Sequence, residues 1–134
     1  MGNGFNNGFG LQLISSVSDP DGTTHNRFHQ QYNGITVENA SIVTHGKAEM
    51  IRSWNGKLEL LPENLSLTPL IDDNAALMAA VQFIGANEYR WQNHSWEAQI
   101  KMISGDTNAT WYPDPELVII LVEGQWELAY KMDI

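Results

Sequence analysis

Residues 24–37 constrain the fold of this chain more than any other stretch. They read Thr-His-Asn-Arg-Phe-His-Gln-Gln-Tyr-Asn-Gly-Ile-Thr-Val: an alternating run, an Asn-Gly pair, and the start of a second apolar run. Asn-Gly between two such runs predicts a β-hairpin. A type I′ turn needs positive φ at both central residues, and Asn and Gly reach it at the lowest steric cost. With a period of two, Phe28 and Tyr32 share one face of the first strand, and His25, Arg27, His29 and Gln31 share the other.

Strand signals surround this hairpin. Leu11–Val17 is a short apolar run closed by Asp19-Pro20-Asp21-Gly22, a turn by composition. Ile35–Thr44 forms the returning strand. Lys47–Trp54 alternates again, which predicts Ala48, Met50 and Trp54 on one side. Asn55-Gly56 then supplies a second hairpin turn into Lys57–Leu61, completing an antiparallel meander. The stretch 62–69 begins and ends with proline and marks the boundary between two parts.

Beyond that boundary the apolar spacing changes. Ala76, Leu77, Ala80, Val81 and Ile84 recur at helical intervals, with Asp72 or Asp73 placed to cap the start and Gly85 to end the helix. A second helix is expected over Ser95–Ile103, stopped by Gly105. Two strands close the chain. Glu116–Val122, apolar after its first residue, reads as buried on both sides, and Trp126–Asp133 places Trp126, Leu128, Tyr130 and Met132 on one face after a Glu123-Gly124 turn. The fold class is therefore α+β: antiparallel sheet with two helices packed on it. The chain divides into a Gly/Asn-rich flexible segment, 1–10, a β-rich half, 11–68, and an αββ half, 69–134.

Composition removes several classes of function. The formal charge of −9 argues against nucleic acid, whose phosphates attract basic surfaces. With no cysteine there are neither disulfides nor thiolate metal sites. No stretch approaches the roughly 20 apolar residues of a membrane helix. Met1-Gly2-Asn3-Gly4 has neither the basic start nor the apolar run of a signal peptide, so an exported form would have its targeting segment outside this sequence.

Candidate chemistry is sparse. His25 and His29 lie four apart, but on a strand that spacing spans about 13 Å, too far for one metal ion with bonds of about 2.1 Å. Asp19-Pro20-Asp21-Gly22 lacks the further acidic ligands of a calcium loop, and Asp72-Asp73 sits where a helix start favours anions. No Gly-x-Ser-x-Gly elbow and no phosphate-cradling glycine loop is present. Neither a catalytic residue nor a cofactor or metal site is expected. Trp126 falls on an apolar strand face and reads as core. Trp111-Tyr112, next to a Pro-Asp-Pro loop, fits either an interface or the core. The Asn-x-Ser/Thr triplets at Asn39, Asn64, Asn93 and Asn108 are expected by chance in so Asn-rich a chain.

The hairpin region resembles the signature of the fungalysin/thermolysin propeptide domain, Gly-Thr-His-x-Arg-Phe-x-Gln-x-Tyr-x-Gly-Ile-x-Val. Gly22, Thr24, His25, Arg27, Phe28, Gln30, Tyr32, Gly34, Ile35 and Val37 fill its places, with Thr23 as one extra residue. Ile71–Trp91, Tyr112-Pro113, Pro115–Val118 and Leu128–Lys131 are similar to the later, PepSY-like part of thermolysin-type pro-regions. The resemblance implies two cystatin/PepSY-like halves and a pro-region that chaperones and inhibits the catalytic domain of a secreted or periplasmic zinc metalloprotease. Such a chain is no enzyme, and its partner is that catalytic domain, not nucleic acid or membrane. In it His25, Arg27, Phe28, Gln30, Tyr32 and Gly34 are structural or interface positions, and Trp111 and Tyr112 are candidate interface residues. Two departures stand out: Thr36 where the family often has Pro, and Glu38-Asn39 where it has an aromatic-Gly pair. The His-Glu-x-x-His zinc motif of the protease is absent from the sequence. The alternative is a stand-alone extracytoplasmic module that binds a protein or peptide. A small α+β enzyme or ligand carrier would need a deep pocket with converging polar groups.

Overall fold

A computed structural model describes residues 7–134. The elements in order are β1 (Phe9–Ser18), β2 (Thr24–Tyr32), β3 (Ile35–Lys47), β4 (Met50–Lys57), α1 (Asp73–Ile84), α2 (His94–Ser104), β5 (Glu116–Val122) and β6 (Gln125–Lys131). The fold is α+β: among the described residues six strands form one mixed sheet, and there are two α-helices. The expectation for residues 1–10 lies outside the described residues for its first six, while Phe9 and Gly10 already belong to β1.

Asn33 and Gly34, at φ 47° and 82°, make the expected turn between β2 and β3. The sheet departs from a simple meander at β3. One edge of β3 pairs antiparallel with β2. Along its other edge, Ser41–Lys47 pairs antiparallel with β4, while Thr36 and Val37 pair parallel with Val118 and Ile119 of β5. The sheet is thus mixed, correcting the purely antiparallel expectation. A bulge makes the division possible. His29 pairs with Ser41 and Gln31 with Thr36, so residues 37–40 of β3 stand opposite Gln30 alone. Asn39 turns the chain there at φ 61°. Asn is the non-glycine residue that tolerates this left-handed conformation best, so the departure at Asn39 keeps the backbone a glycine would allow.

A second correction concerns Asn55-Gly56. No turn forms there: Lys57 ends β4, paired with Ser41, and residues 58–61 form no strand. The reversal into β4 occurs at Ala48-Glu49, both with positive φ (51° and 63°), and β4 runs straight through Asn55 and Gly56. Gly56 is required for a different reason. At φ 126° a side chain would be strained, and a Cβ would run into the carbonyl oxygen of Ser41 and lie 2.8 Å from Ile42 Cα. A register shift in β4 also puts Ile51, not Met50, on the face of Trp54.

The described residues form two compact units. The first, residues 7–68 with 117–129, has a core of Tyr32, Val37, Ala40 and Ile119, with Ile35, Leu61, Leu65, Leu67, Trp126 and Leu128 packed around it. β5 is buried only at Val118 and Ile119; Leu121 and Val122 are exposed, against the expectation of burial on both sides. The second unit, residues 69–116 with 130–134, contains both helices. Asp72 caps α1 by accepting the Ala75 N–H at 2.7 Å, and Gly85 ends the helix in the left-handed conformation. Asn93 caps α2, whose end is Gly105. Tyr89 fastens the end of α1, its hydroxyl donating to the Val81 carbonyl at 2.8 Å and accepting from the Ala86 N–H at 3.2 Å.

Candidate functional site

The hairpin residues singled out from the sequence divide by what each does. Gly34 supplies a backbone conformation. Tyr32 is buried in the core of the first unit, its hydroxyl 3.4 Å from the Glu63 carbonyl. Phe28 is half-buried between Leu13 and Ile42 in the register of the three strands. Gln30, opposite the β3 bulge, is buried and acts as a two-pronged clamp. Its Nε2 donates to the Glu59 carbonyl at 2.8 Å, and its Oε1 accepts the Glu59 N–H at 2.7 Å. The side chain imitates a strand partner where the ladder is interrupted, holding the segment after β4 against the sheet. Strand spacing alone does not reveal this, since a Gln at an inward position reads as an exception to the apolar pattern.

His25 sits opposite His45 in the β2–β3 register, and their Nδ1 atoms are 2.6 Å apart. Its Nε2 faces Asp19 Oδ2 at 2.9 Å, and His45 Nε2 faces Asn55 Oδ1 at 2.6 Å. Asp21 lies in the same turn. The N–H and hydroxyl of Thr23 both donate to its carboxylate at 2.9 Å, which holds that carboxyl below its ordinary value of 3.8. His29 is on the same face as His25 but does not join this string. His45, which the sequence marked only by its resemblance to the family's histidine-ended strand and not as a partner of His25, stands between His25 and Asn55. Among the described residues no group of three or more His, Asp or Glu is arranged to hold a metal ion.

Arg27 differs from its neighbours. It lies on the His25 face of β2, exposed to solvent, and no ion pair or hydrogen bond to its guanidinium is found among the described residues. Every other member of the set from His25 to Gly34 has an internal partner, packing or backbone role.

In the second unit, Trp111 is anchored from several directions. Its main-chain N–H donates to Glu97 Oε1 at 2.8 Å, and its indole Nε1 donates to the Trp96 carbonyl at 3.1 Å. The Arg90 guanidinium lies 4.8 Å from the Trp111 ring and 5.5 Å from the Trp96 ring, a cation–π arrangement. Tyr112 is exposed and meets Trp91 edge-on at 5.9 Å, and Trp91 stacks on Tyr89 at 4.6 Å. Tyr89, Arg90, Trp91 and Trp111 also line a cleft of about 370 Å³, together with Glu88 and Asp133. The cleft contains no nucleophile–base pair and nothing that assigns it a reaction.

No described helix is long and apolar enough to cross a membrane. No curated protein sequence matches the chain. A family model does match its first part, and the matched range begins with the first residue of β1 and ends one residue past β4. Residues 9–58 carry the Fungalysin/Thermolysin Propeptide Motif, which implies a pro-region of a thermolysin- or fungalysin-like protease.

Proposed function

We propose that this chain is the pro-region of a secreted zinc metalloprotease of the thermolysin type, and that it acts as intramolecular chaperone and inhibitor of the catalytic domain. The carrying observation is the coincidence of the propeptide motif with the complete four-strand segment β1–β4. In this reading residues 11–68 form the propeptide-motif half, residues 69–134 are a PepSY-like half, and the protein works outside the cytoplasm. No residue of the chain needs to be catalytic.

The physics requires only modest affinity. A pro-region that binds the folded protease and not the unfolded chain stabilises the former by mass action. Tethered, it acts at an effective concentration of about 1 mM. Against an intrinsic dissociation constant of about 1 μM this yields roughly 4 kcal/mol, which is lost on cleavage and dilution.

Arg27 is the residue we place at the interface, because it is the hairpin position with no internal role. Trp111 and Tyr112 are the second contact we assign. Added in trans at micromolar concentrations, the chain is expected to slow its cognate protease or to speed recovery of activity after denaturation; neither effect would overturn the reading. Arg27→Glu is expected to weaken inhibition about tenfold or more, since reversing a charge at a docked face costs upward of 1.4 kcal/mol, with an unchanged melting temperature. The rival, a stand-alone peptide-binding module, draws support from the aromatic cleft beside Trp91 and Trp111. It requires Trp91→Ala to abolish peptide binding and the protease to be unaffected by the wild-type chain.

A further inference from the structure

We propose that His25 and His45 form a pH-operated clasp that laces β2, β3, β4 and the β1–β2 turn together and opens when both imidazoles carry a full complement of protons. The inference does not depend on the propeptide reading, since it follows from how many protons the string of hydrogen bonds can hold.

All four ring nitrogens are engaged in a line running Asp19, His25, His45, Asn55. The line takes in the turn after β1 and one residue from each of β2, β3 and β4. Asp19 as a carboxylate only accepts, so His25 Nε2 must carry a proton. The 2.6 Å contact between the Nδ1 atoms has room for one proton, shared as N–H···N. That leaves His45 Nε2. Bare, it accepts from the Asn55 amide turned with its NH₂ inward; protonated, it donates to Oδ1. The first arrangement puts two protons on the pair and leaves it neutral. The second puts three on the pair and gives it one positive charge beside Asp19.

A fourth proton has no place. It would set N–H against N–H across the Nδ1 contact, two like-charged rings with no acceptor between them, and the pair must separate. The other charges facing this end of the sheet do not relieve that conflict. Asp21, in the turn, is within electrostatic reach of both His25 and Lys47 and, with Asp19, favours the first proton. Lys47 at the end of β3 and Arg27, two residues along β2 on the same face, add positive charge and oppose a second. In the unfolded chain both histidines protonate freely as pH falls through about 6.5. The unfolded chain then binds more protons than the clasped one, so by linkage the clasped strands lose stability as pH falls. The loss approaches about tenfold in the opening equilibrium per pH unit, the limit for one linked proton.

The test is amide hydrogen exchange of the whole chain from pH 8 to 4.5, corrected for intrinsic rates, with histidine ring nitrogens followed by ¹⁵N NMR. The expected result is a single shared proton between the two Nδ1 atoms near neutral pH. Below the histidine range, protection at residues 18–25 and 43–55 should fall by up to tenfold per pH unit while α1 and α2 stay protected. His45→Gln should make that protection independent of pH across the same range, and His29→Gln should leave the wild-type dependence intact. Asn55→Asp, which keeps the shape but forbids the neutral arrangement, should keep the His45 Nε2 proton in the ¹⁵N spectra to higher pH than in the wild type. Equal pH dependence in wild type and His45→Gln overturns the proposal, as does ¹⁵N evidence that the two rings titrate independently while protection holds. Should His45→Gln fail to fold, Asn55→Asp and the ring-nitrogen spectra of the wild type decide by the same criteria.

Discussion

Gln30 is a polar side chain at 2% exposure, and its neighbours explain why an apolar one would not serve. The β3 bulge removes a strand partner, and the Gln30 amide bonds the Glu59 main chain through both donor and acceptor. Gln30→Leu fills the space but strands an N–H and a carbonyl. Leaving both unpaired is expected to cost about 2–4 kcal/mol, read from chemical denaturation. Asp21 offers a contrast at the surface. Bonds from Thr23 hold its carboxyl below the ordinary range, so its contribution is present above the unfolded-state value and disappears as pH falls through the folded one. Asp21→Asn is accordingly expected to lower the melting temperature at pH 6 and to lower it progressively less as pH falls below the ordinary carboxylate range. A melting difference that stays constant over that range would contradict the assignment.

Turns were legible where a residue type announces its backbone conformation and illegible elsewhere. Asn33-Gly34 and Glu123-Gly124 end in a glycine that takes positive φ, and both form as read. Ala48-Glu49 adopts the same geometry with neither Asn nor Gly, so nothing in its side chains marks it; the returning strand forces it. Replacing the pair by Asn-Gly is expected to raise stability by about 1–2 kcal/mol, since each non-glycine residue in the left-handed region carries a cost near that size. The reverse case is Asn55-Gly56, whose composition signals a turn but whose glycine is needed for the close approach of β3. Three helix ends were readable because their causes are local, Asp72 before α1 and Gly85 and Gly105 after the helices, whereas Asn93 as the cap of α2 was supplied by the structure. Asp72→Ala is expected to cost about 1 kcal/mol, measured by thermal unfolding.

At the scale of the molecule, the core of the first unit joins residues more than eighty positions apart. Val37 of β3 and Ile119 of β5, neighbours in the parallel ladder, are among its most completely buried side chains. Ile119→Ala is expected to cost about 3–5 kcal/mol and to unfold β1–β4 together with β5, followed by circular dichroism and hydrogen exchange. If β1–β4 kept full protection in that variant, the unity of this core would be refuted. By itself the sequence determined both helices, most of the strands other than the course of β4, the hairpin at Asn33-Gly34 and the family signature running through it, because each of these rests on period, turn chemistry or residue order along the chain. Tertiary structure alone decided that β3 shares an edge between β4 and β5, that Gln30 replaces a strand and that His25 meets His45. Those choices depend on which distant segments are brought edge to edge, and neither the two-residue period of a strand nor the capping of a helix encodes a partner.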